Sequence, residues 1–308
     1  MGLGALGATL VVLALAGCGL ITASAPTAVQ LVISSDFGAH VLHRSSGLRA
    51  RGGETMLALL RSEYPVGASA DGDVVNSIDG LSAGPEAGAS GRSAQWSYYV
   101  NGVPISSSPA RTSLRPGDHV WWDLHETGEI AAGATAVVGS FPEPFLNGVE
   151  GKRLPVRIEC ASVSGHACTA VTASLRRVSV PAAVAQIGSG GAPETLRVLV
   201  GPWNRVGGEL AVQDIERGPR VSGVDAGFSA GGRTLTLLDE QGQPVRRLNG
   251  DAGLVAATRG AKEAPLWVVT GTDDAGVELA ARAFDRAALE DRFAVALRPG
   301  GAIALPVR

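Results

Sequence analysis

The sequence predicts an α+β protein in which a strand-rich unit carrying one helix is followed by a separate α/β or α+β domain. Three observations carry that prediction. Short segments of alternating apolar residues dominate the first part of the chain, a single helical stripe interrupts them, and strands alternate with helices further on. The 308 residues suffice for two domains of ordinary size, and a hydrophobic content of 45% lets each bury a core.

The first unit is placed at 28–130. AVQLVISSDFG and HVLHRSSGL read as two strands, with Val29, Leu31 and Ile33 on one face. GGETMLALLRSE, 52–63, reads as a helix because Met56, Leu59 and Leu60 repeat at i, i+3 and i+4. VVNSIDGLSA, 74–83, is a strand running into a turn at Asp79-Gly80, and PEAGASGRSA, 85–94, is a flexible link. WSYYV and HVWWDLHE supply the last strands, separated by turns at Asn101-Gly102 and Pro116-Gly117. The order strand, strand, helix, strand, strand, strand fits a mainly antiparallel or mixed sheet with one packed helix.

AAGATA, 131–136, reads as the junction to a second domain at 137–308. There TAVVGS, LPVRIECA, TLRVLV, LWVVTG and FAVAL read as strands. VTASLRRVSV and GGELAVQDIERG read as helices, and FSAGGRTLTLLDEQGQPVRRL as two strands around a turn. DDAGVELAARAFDRAALEDRF reads as one helix, with Val277, Ala281, Phe284 and Ala288 as its buried stripe and Thr272 or Asp273 as its cap. VVGSFPEPF and VLVGPWNRV align loosely, which suggests two related halves.

Three of five tryptophans and two of three tyrosines fall within 96–128. Strand periodicity divides them. Trp96, Tyr98, Val100, Val120, Trp122 and Leu124 form the apolar set expected in the core, whereas Ser97, Tyr99, His119, Trp121, Asp123 and His125 project from the mostly polar side. Tyr99 and Trp121 are therefore candidates for an aromatic surface on which a planar ligand stacks, with His119, Asp123 and His125 fixing its orientation. A surface for the second domain or for a partner, and plain burial, are the competing expectations.

Catalytic motifs are sparse. The chain has no HExxH, Walker loop, GxSxG or CxxC. His119 and His125 lie too far apart along a strand, roughly 20 Å at the usual rise, to share a metal ion, so Asp123 with His125 is the closer pair for acid–base work. Asp273 and Asp274 open a helix after an apolar strand, where capping explains them as well as function does. Neither an enzyme nor a resident cofactor or metal is expected. A net charge of −3 without a basic block argues against a nucleic-acid partner.

VNSIDG, WSYYVNG and LRPGDHVWWDLHETG together resemble the DUF4430 family, which is similar to the C-terminal domain of transcobalamin and intrinsic factor. The resemblance implies a β-grasp-like fold for the first unit. In the cobalamin carriers that domain closes over the corrin beside a helical barrel, which makes a cobalamin-like molecule the weak ligand candidate it implies.

At the N-terminus, GLGALGATLVVLALAG is a sixteen-residue run without charge that ends at Cys18. It is short for a bilayer span and matches the apolar region of a signal peptide. GLGALG within it fits GxGxxG formally, but no βαβ unit surrounds it. LAGC, 15–18, resembles the lipobox of bacterial lipoproteins. That resemblance implies removal of 1–17, lipidation of Cys18, a tether over 18–27, and a protein held by membrane lipid on the outer face of the bacterial cytoplasmic membrane. In such a compartment Cys160 and Cys168, flanking a small-residue loop, are expected to form a disulfide. The functional expectation is a lipid-anchored extracytoplasmic binding or transport-accessory protein for a small ligand. The alternative is a non-catalytic structural or protein-interaction lipoprotein of the cell envelope.

Overall fold

A computed structural model describes residues 28–308 apart from 89, 127–134, 190–191 and 261–262, and apart from the side chain of Ala211. The signal-like segment, Cys18, the tether and most of the 131–136 junction lie outside the described residues.

The first domain contains β1 (Val29–Ser35), β2 (His40–Leu48), α1 (Met56–Glu63), β3 (Val66–Ala68), β4 (Val75–Ile78), β5 (Leu81–Ser82), β6 (Ala94–Val100), β7 (Val103–Pro104) and β8 (His119–Glu126). Its main sheet has the order β2-β1-β8-β6-β7, and β3, β4 and β5 form a small sheet beside it. β1 pairs parallel with β8 at the centre, and the other pairs of the main sheet are antiparallel. This is β-grasp topology, with the first and last strands side by side and the helix crossing one face. Thr55 caps α1 by accepting a hydrogen bond from the Ala58 amide at 3.2 Å. The helix buries Met56, Leu57, Leu59 and Leu60 against Val29, Leu31, Ile33, Trp96, Val120, Trp122 and Leu124. Tyr98 and Val100 pack at the margin of that core, so the apolar set of the aromatic stretch sits where periodicity puts it. Both residues of Asn101-Gly102 have positive φ, 55° and 76°, which lets β6 turn back into β7 without splaying the pair.

The second domain contains β9 (Val156–Cys160), α2 (His166–Arg177), β10 (Ala183–Gln186), β11 (Leu196–Pro202), α3 (Trp203–Val206), α4 (Gln213–Glu216), α5 (Pro219–Ser222) and β12 (Ala226–Phe228). It continues with β13 (Thr234–Leu238), β14 (Pro244–Asn249), β15 (Gly253–Thr258), β16 (Leu266–Gly271), α6 (Asp274–Arg282), α7 (Arg286–Leu289), β17 (Ala294–Arg298) and β18 (Gly301–Leu305). Seven strands form one sheet in the order β10-β9-β11-β16-β15-β17-β18. The first four are mutually parallel, and β15, β17 and β18 extend the sheet antiparallel. α2 and α6 cover one face, over Ile158, Val198, Trp267 and Val295. The three-stranded sheet β12-β13-β14 covers the other, where Leu235 and Leu237 meet Leu199, Val268 and Ala296. The Cys160–Cys168 disulfide joins the end of β9 to the first turn of α2.

Several expectations are corrected. The two segments aligned as halves have different structures: VVGSFPEPF is a chain of turns, VLVGPWNRV is β11 running into α3. TAVVGS is not a strand either. Its Val137 and Val138 are fully buried, but they fill space around other elements instead of joining a ladder. GGELAVQDIERG breaks into a 3-10 turn at Leu210–Val212 and the short α4. The helix expected over 273–293 stops at Arg282 and restarts at Arg286, where Asp285 caps the second piece by accepting from the Ala288 amide at 2.9 Å. Asp273 caps the first by accepting from the Gly276 amide at 2.8 Å, the capping role weighed for it in the sequence.

Candidate functional site

The second face of β8 is not open. His119, Trp121, Asp123 and His125 are all buried, and so is Tyr99 on the neighbouring β6. Phe293, just ahead of β17, inserts among them edge-on. Its ring centroid lies 5.2 Å from that of Trp121, 5.5 Å from Tyr99 and 5.6 Å from His125. Val137 and Val32 complete this small core. The expected ligand platform of Tyr99 and Trp121 is thereby corrected: the rings form a seal between the domains. The reason is hydrophobic, since burial of large aromatic surface is worth on the order of 3 kcal/mol per side chain and a domain is at hand to cover them. Gly38 makes the approach close enough. A side chain there would meet the Asp291 carbonyl oxygen at 2.0 Å, and its φ of 82° suits glycine.

A polar network inside the first domain backs its side of the interface. Asp123, fully buried, accepts from the Ser34 hydroxyl at 2.5 Å, the Phe37 amide at 2.9 Å, the Gly38 amide at 2.8 Å and His125 Nδ1 at 2.8 Å. Four donors satisfy a buried carboxylate, which would otherwise be strongly disfavoured. Trp121 Nε1 donates to Ser34 Oγ at 2.7 Å. The His125 ring is stacked on Phe37, with centroids 4.3 Å apart, and its Nε2 lies 3.3 Å from Ser97 Oγ. His119 is separate from this cluster. Burial, followed by the charges of Arg286 and Arg44, pushes its pKa down to about 4, so it is neutral near pH 7. Among the described residues no group of three His, Cys, Asp or Glu side chains is placed to hold a metal ion.

At one end of the interface Asn101 Nδ2 donates to Asp118 Oδ1 at 2.9 Å and to the Gly148 carbonyl at 3.1 Å, while Asn147 Nδ2 reaches the Gly117 carbonyl at 2.9 Å. Burial raises the nearby Glu143 carboxyl to about 7 against the opposing Asn147 hydrogen bonds. At the rim, Arg44 pairs with Glu290 at 2.9 Å and with Asp291, and Arg92 bridges Glu126 and Glu240 at 2.8 and 3.1 Å.

Beside the seal, where β7 is only two residues long, the domains part into a cleft of about 940 Å³. Ser97, Tyr98 and Tyr99 line it from β6; Glu150, Asp214 and Arg259 line it from the second domain. Arg259 is held by the Glu263 carbonyl at 2.7 Å and by a longer 3.4 Å pair with Glu150. A second hollow of about 630 Å³ shares Asp214 and Gly260 with it and contains Arg197, which is bound to Glu159 at 2.9 and 2.7 Å. The open, polar part of the interface is thus offset from the residues singled out in the sequence. Only Tyr99 belongs to both.

Sequence reasoning missed Ser97, Ser34, Phe37 and Phe293. A signal for Ser97 existed, because it shares the polar face of β6 with Tyr99. Its pairing with Asp123 depends on register across an eighteen-residue connection, 101–118, which no turn rule specifies.

The arrangement defines an α+β protein in which a β-grasp domain is sealed against a seven-stranded mixed-sheet domain, with a polar cleft along the seam. Residues 53–126 match the family model DUF4430, described as a domain of unknown function, and this part of the chain is a DUF4430 domain. No curated protein matches the chain.

Proposed function

We propose that the protein is a lipid-anchored extracytoplasmic binding protein that holds a small polar ligand in the cleft between its domains. The cleft itself is the observation that carries this reading. Its volume of about 940 Å³ is that of a small-molecule site, and a few convergent polar groups, Ser97, Glu150, Asp214 and Arg259, stand beside the aromatic Tyr98. The lining carries both charges, which favours a ligand with hydroxyl, carboxylate or ammonium groups. A corrin is disfavoured, because Tyr99 and Trp121, the rings proposed to stack on it, lie under Phe293. The lipid anchor rests on the LAGC segment and Cys18, and a disulfide at Cys160–Cys168 suits an oxidising compartment.

A second reading has its own support. The sealed aromatic interface and the ion pairs around it suit a rigid structural or protein-interaction lipoprotein of the envelope, in which the DUF4430 domain braces the second domain. Mass-spectrometric identification of small molecules co-purifying with the native protein separates the two. Binding requires a ligand that is retained by the intact protein and lost on Arg259→Ala; an empty protein favours the structural reading. Titration with cobalamin, followed by absorbance, tests the corrinoid class directly and is expected to show no change. Lipidation predicts membrane fractionation of the full chain that Cys18→Ala abolishes.

A further inference from the structure

The hydrogen-bonded chain that ends at the cleft has a direction. Asp123 is fixed by Ser34 and by the Phe37 and Gly38 amides, and it meets His125 at Nδ1, 2.8 Å away. A carboxylate at that distance selects the tautomer with the proton on Nδ1, which leaves the lone pair of Nε2 facing outward. The atom it faces is Ser97 Oγ, 3.3 Å away. The imidazole cannot tilt freely, because Phe37 stacks on one side and the edge of Phe293 abuts it. Ser97 is half-buried and lines the cleft, Asp123 is fully buried behind it, and His125 lies between them with Nε2 at the Ser97 hydroxyl. A hydroxyl, an imidazole accepting its proton, and a buried carboxylate holding the imidazole constitute the arrangement by which serine is made nucleophilic on unrelated folds.

We propose that Ser97 is a nucleophile for acyl transfer, with His125 as its general base and Asp123 as the positioning residue, acting on small carboxylic esters that enter the cleft. Ser97 Oγ forms a bond to the ester carbonyl carbon while its proton passes to His125 Nε2. The bond from that carbon to the alcohol oxygen then breaks, and the imidazolium returns the proton to the departing alcohol. Water, deprotonated by His125, attacks the acyl-Ser97 carbon; the carboxylic acid leaves and Ser97 regains its proton. Arg259 brings positive charge to the same cleft. The inference shares the cleft with the binding reading but not its ligand, so each stands or falls separately.

The test is covalent labelling of the full chain with an alkyl fluorophosphonate, which transfers a phosphonyl group to an activated serine with loss of fluoride. Peptide mass spectrometry is expected to find a single adduct, on Ser97, and Ser97→Ala is expected to abolish it with the circular dichroism unchanged. The labelling rate is expected to rise with pH through one ionisation. Asp123→Asn is expected to slow labelling at least ~100-fold and to alter that pH profile, an effect that loss of packing alone would not produce. If Ser97→Ala fails to fold, the adduct position in the wild-type chain decides. Absence of an adduct on Ser97 in the folded wild-type protein, or equal labelling after Ser97→Ala, would overturn the proposal whether or not a ligand co-purifies.

Discussion

Phe293 meets Trp121 edge-to-face with ring centroids 5.2 Å apart, and this contact joins the DUF4430 domain to the sheet of the second domain. Each ring is almost fully buried. Removing one should therefore loosen the interface before it disturbs either main core. Phe293→Ala is expected to cost about 3 kcal/mol, within the usual range for deleting a buried phenyl group. It is also expected to shift tryptophan emission to the red as Trp121 meets water. Urea unfolding monitored by fluorescence measures both; an unchanged midpoint and emission would rule out the seal.

Gly38 should be intolerant for a separate reason. An added Cβ would lie 2.0 Å from the Asp291 carbonyl oxygen, and the φ of 82° is itself strained for alanine. Gly38→Ala is expected to lose at least ~2 kcal/mol, whereas Gly47→Ala, with a similar φ of 84° but open space around it, should lose about 1 kcal/mol. Comparison of the two melting temperatures isolates the interdomain clash from the backbone cost.

Asp225 gives the second domain a pH dependence. Burial, then the charges of Asp239 and Glu240, raise its carboxyl from 3.8 to about 7. The folded state therefore holds a proton that the unfolded state releases, so this group favours folding less as pH climbs from about 4 to about 7. Asp225→Asn should raise stability by about 2 kcal/mol at pH 8 and by nearly nothing at pH 3.5. Thermal melts at the two pH values provide the check, and equal effects at both would contradict the assignment. Glu143, raised to about 7, contributes in the same direction, so the wild-type protein should gain stability from these two groups as pH falls from 7 towards 5.

The disulfide closes a short loop between β9 and α2. Replacing Cys160 and Cys168 together by serine should cost about 2–3 kcal/mol, from the freedom returned to the unfolded chain and from two hydroxyls placed at buried sites. Calorimetry with and without a reductant should show the wild-type protein falling towards the variant; no difference would mean that the bond carries no stability.

The fold was legible wherever local chemistry suffices. The stripe of Met56, Leu59 and Leu60 marked α1, and the alternation of Val120, Trp122 and Leu124 marked the core face of β8. Asn101-Gly102 marked a hairpin, and the spacing of Cys160 and Cys168 marked the disulfide. What failed was whatever depends on distant partners. Val137 and Val138 look like strand residues but serve as filler around Trp121 and other buried side chains. The face bearing Tyr99, Trp121, Asp123 and His125 was legible as a set, but its covering was not, because Phe293 lies 172 residues after Trp121 and no periodicity relates them. Ser97 was legible on the same face as Tyr99, but its pairing with Asp123 and His125 was not, since its partner across the sheet is fixed by tertiary register.

The binding reading assigns the ligand to the cleft along the seam and not to the sealed aromatic face. Native mass spectrometry of the protein purified without denaturation, beside Arg259→Ala and Phe293→Leu, tests it most directly. A small molecule is expected to be bound in the wild-type protein, to persist in Phe293→Leu and to disappear in Arg259→Ala. A molecule retained by Arg259→Ala and lost from Phe293→Leu, or no bound molecule at all, would contradict it.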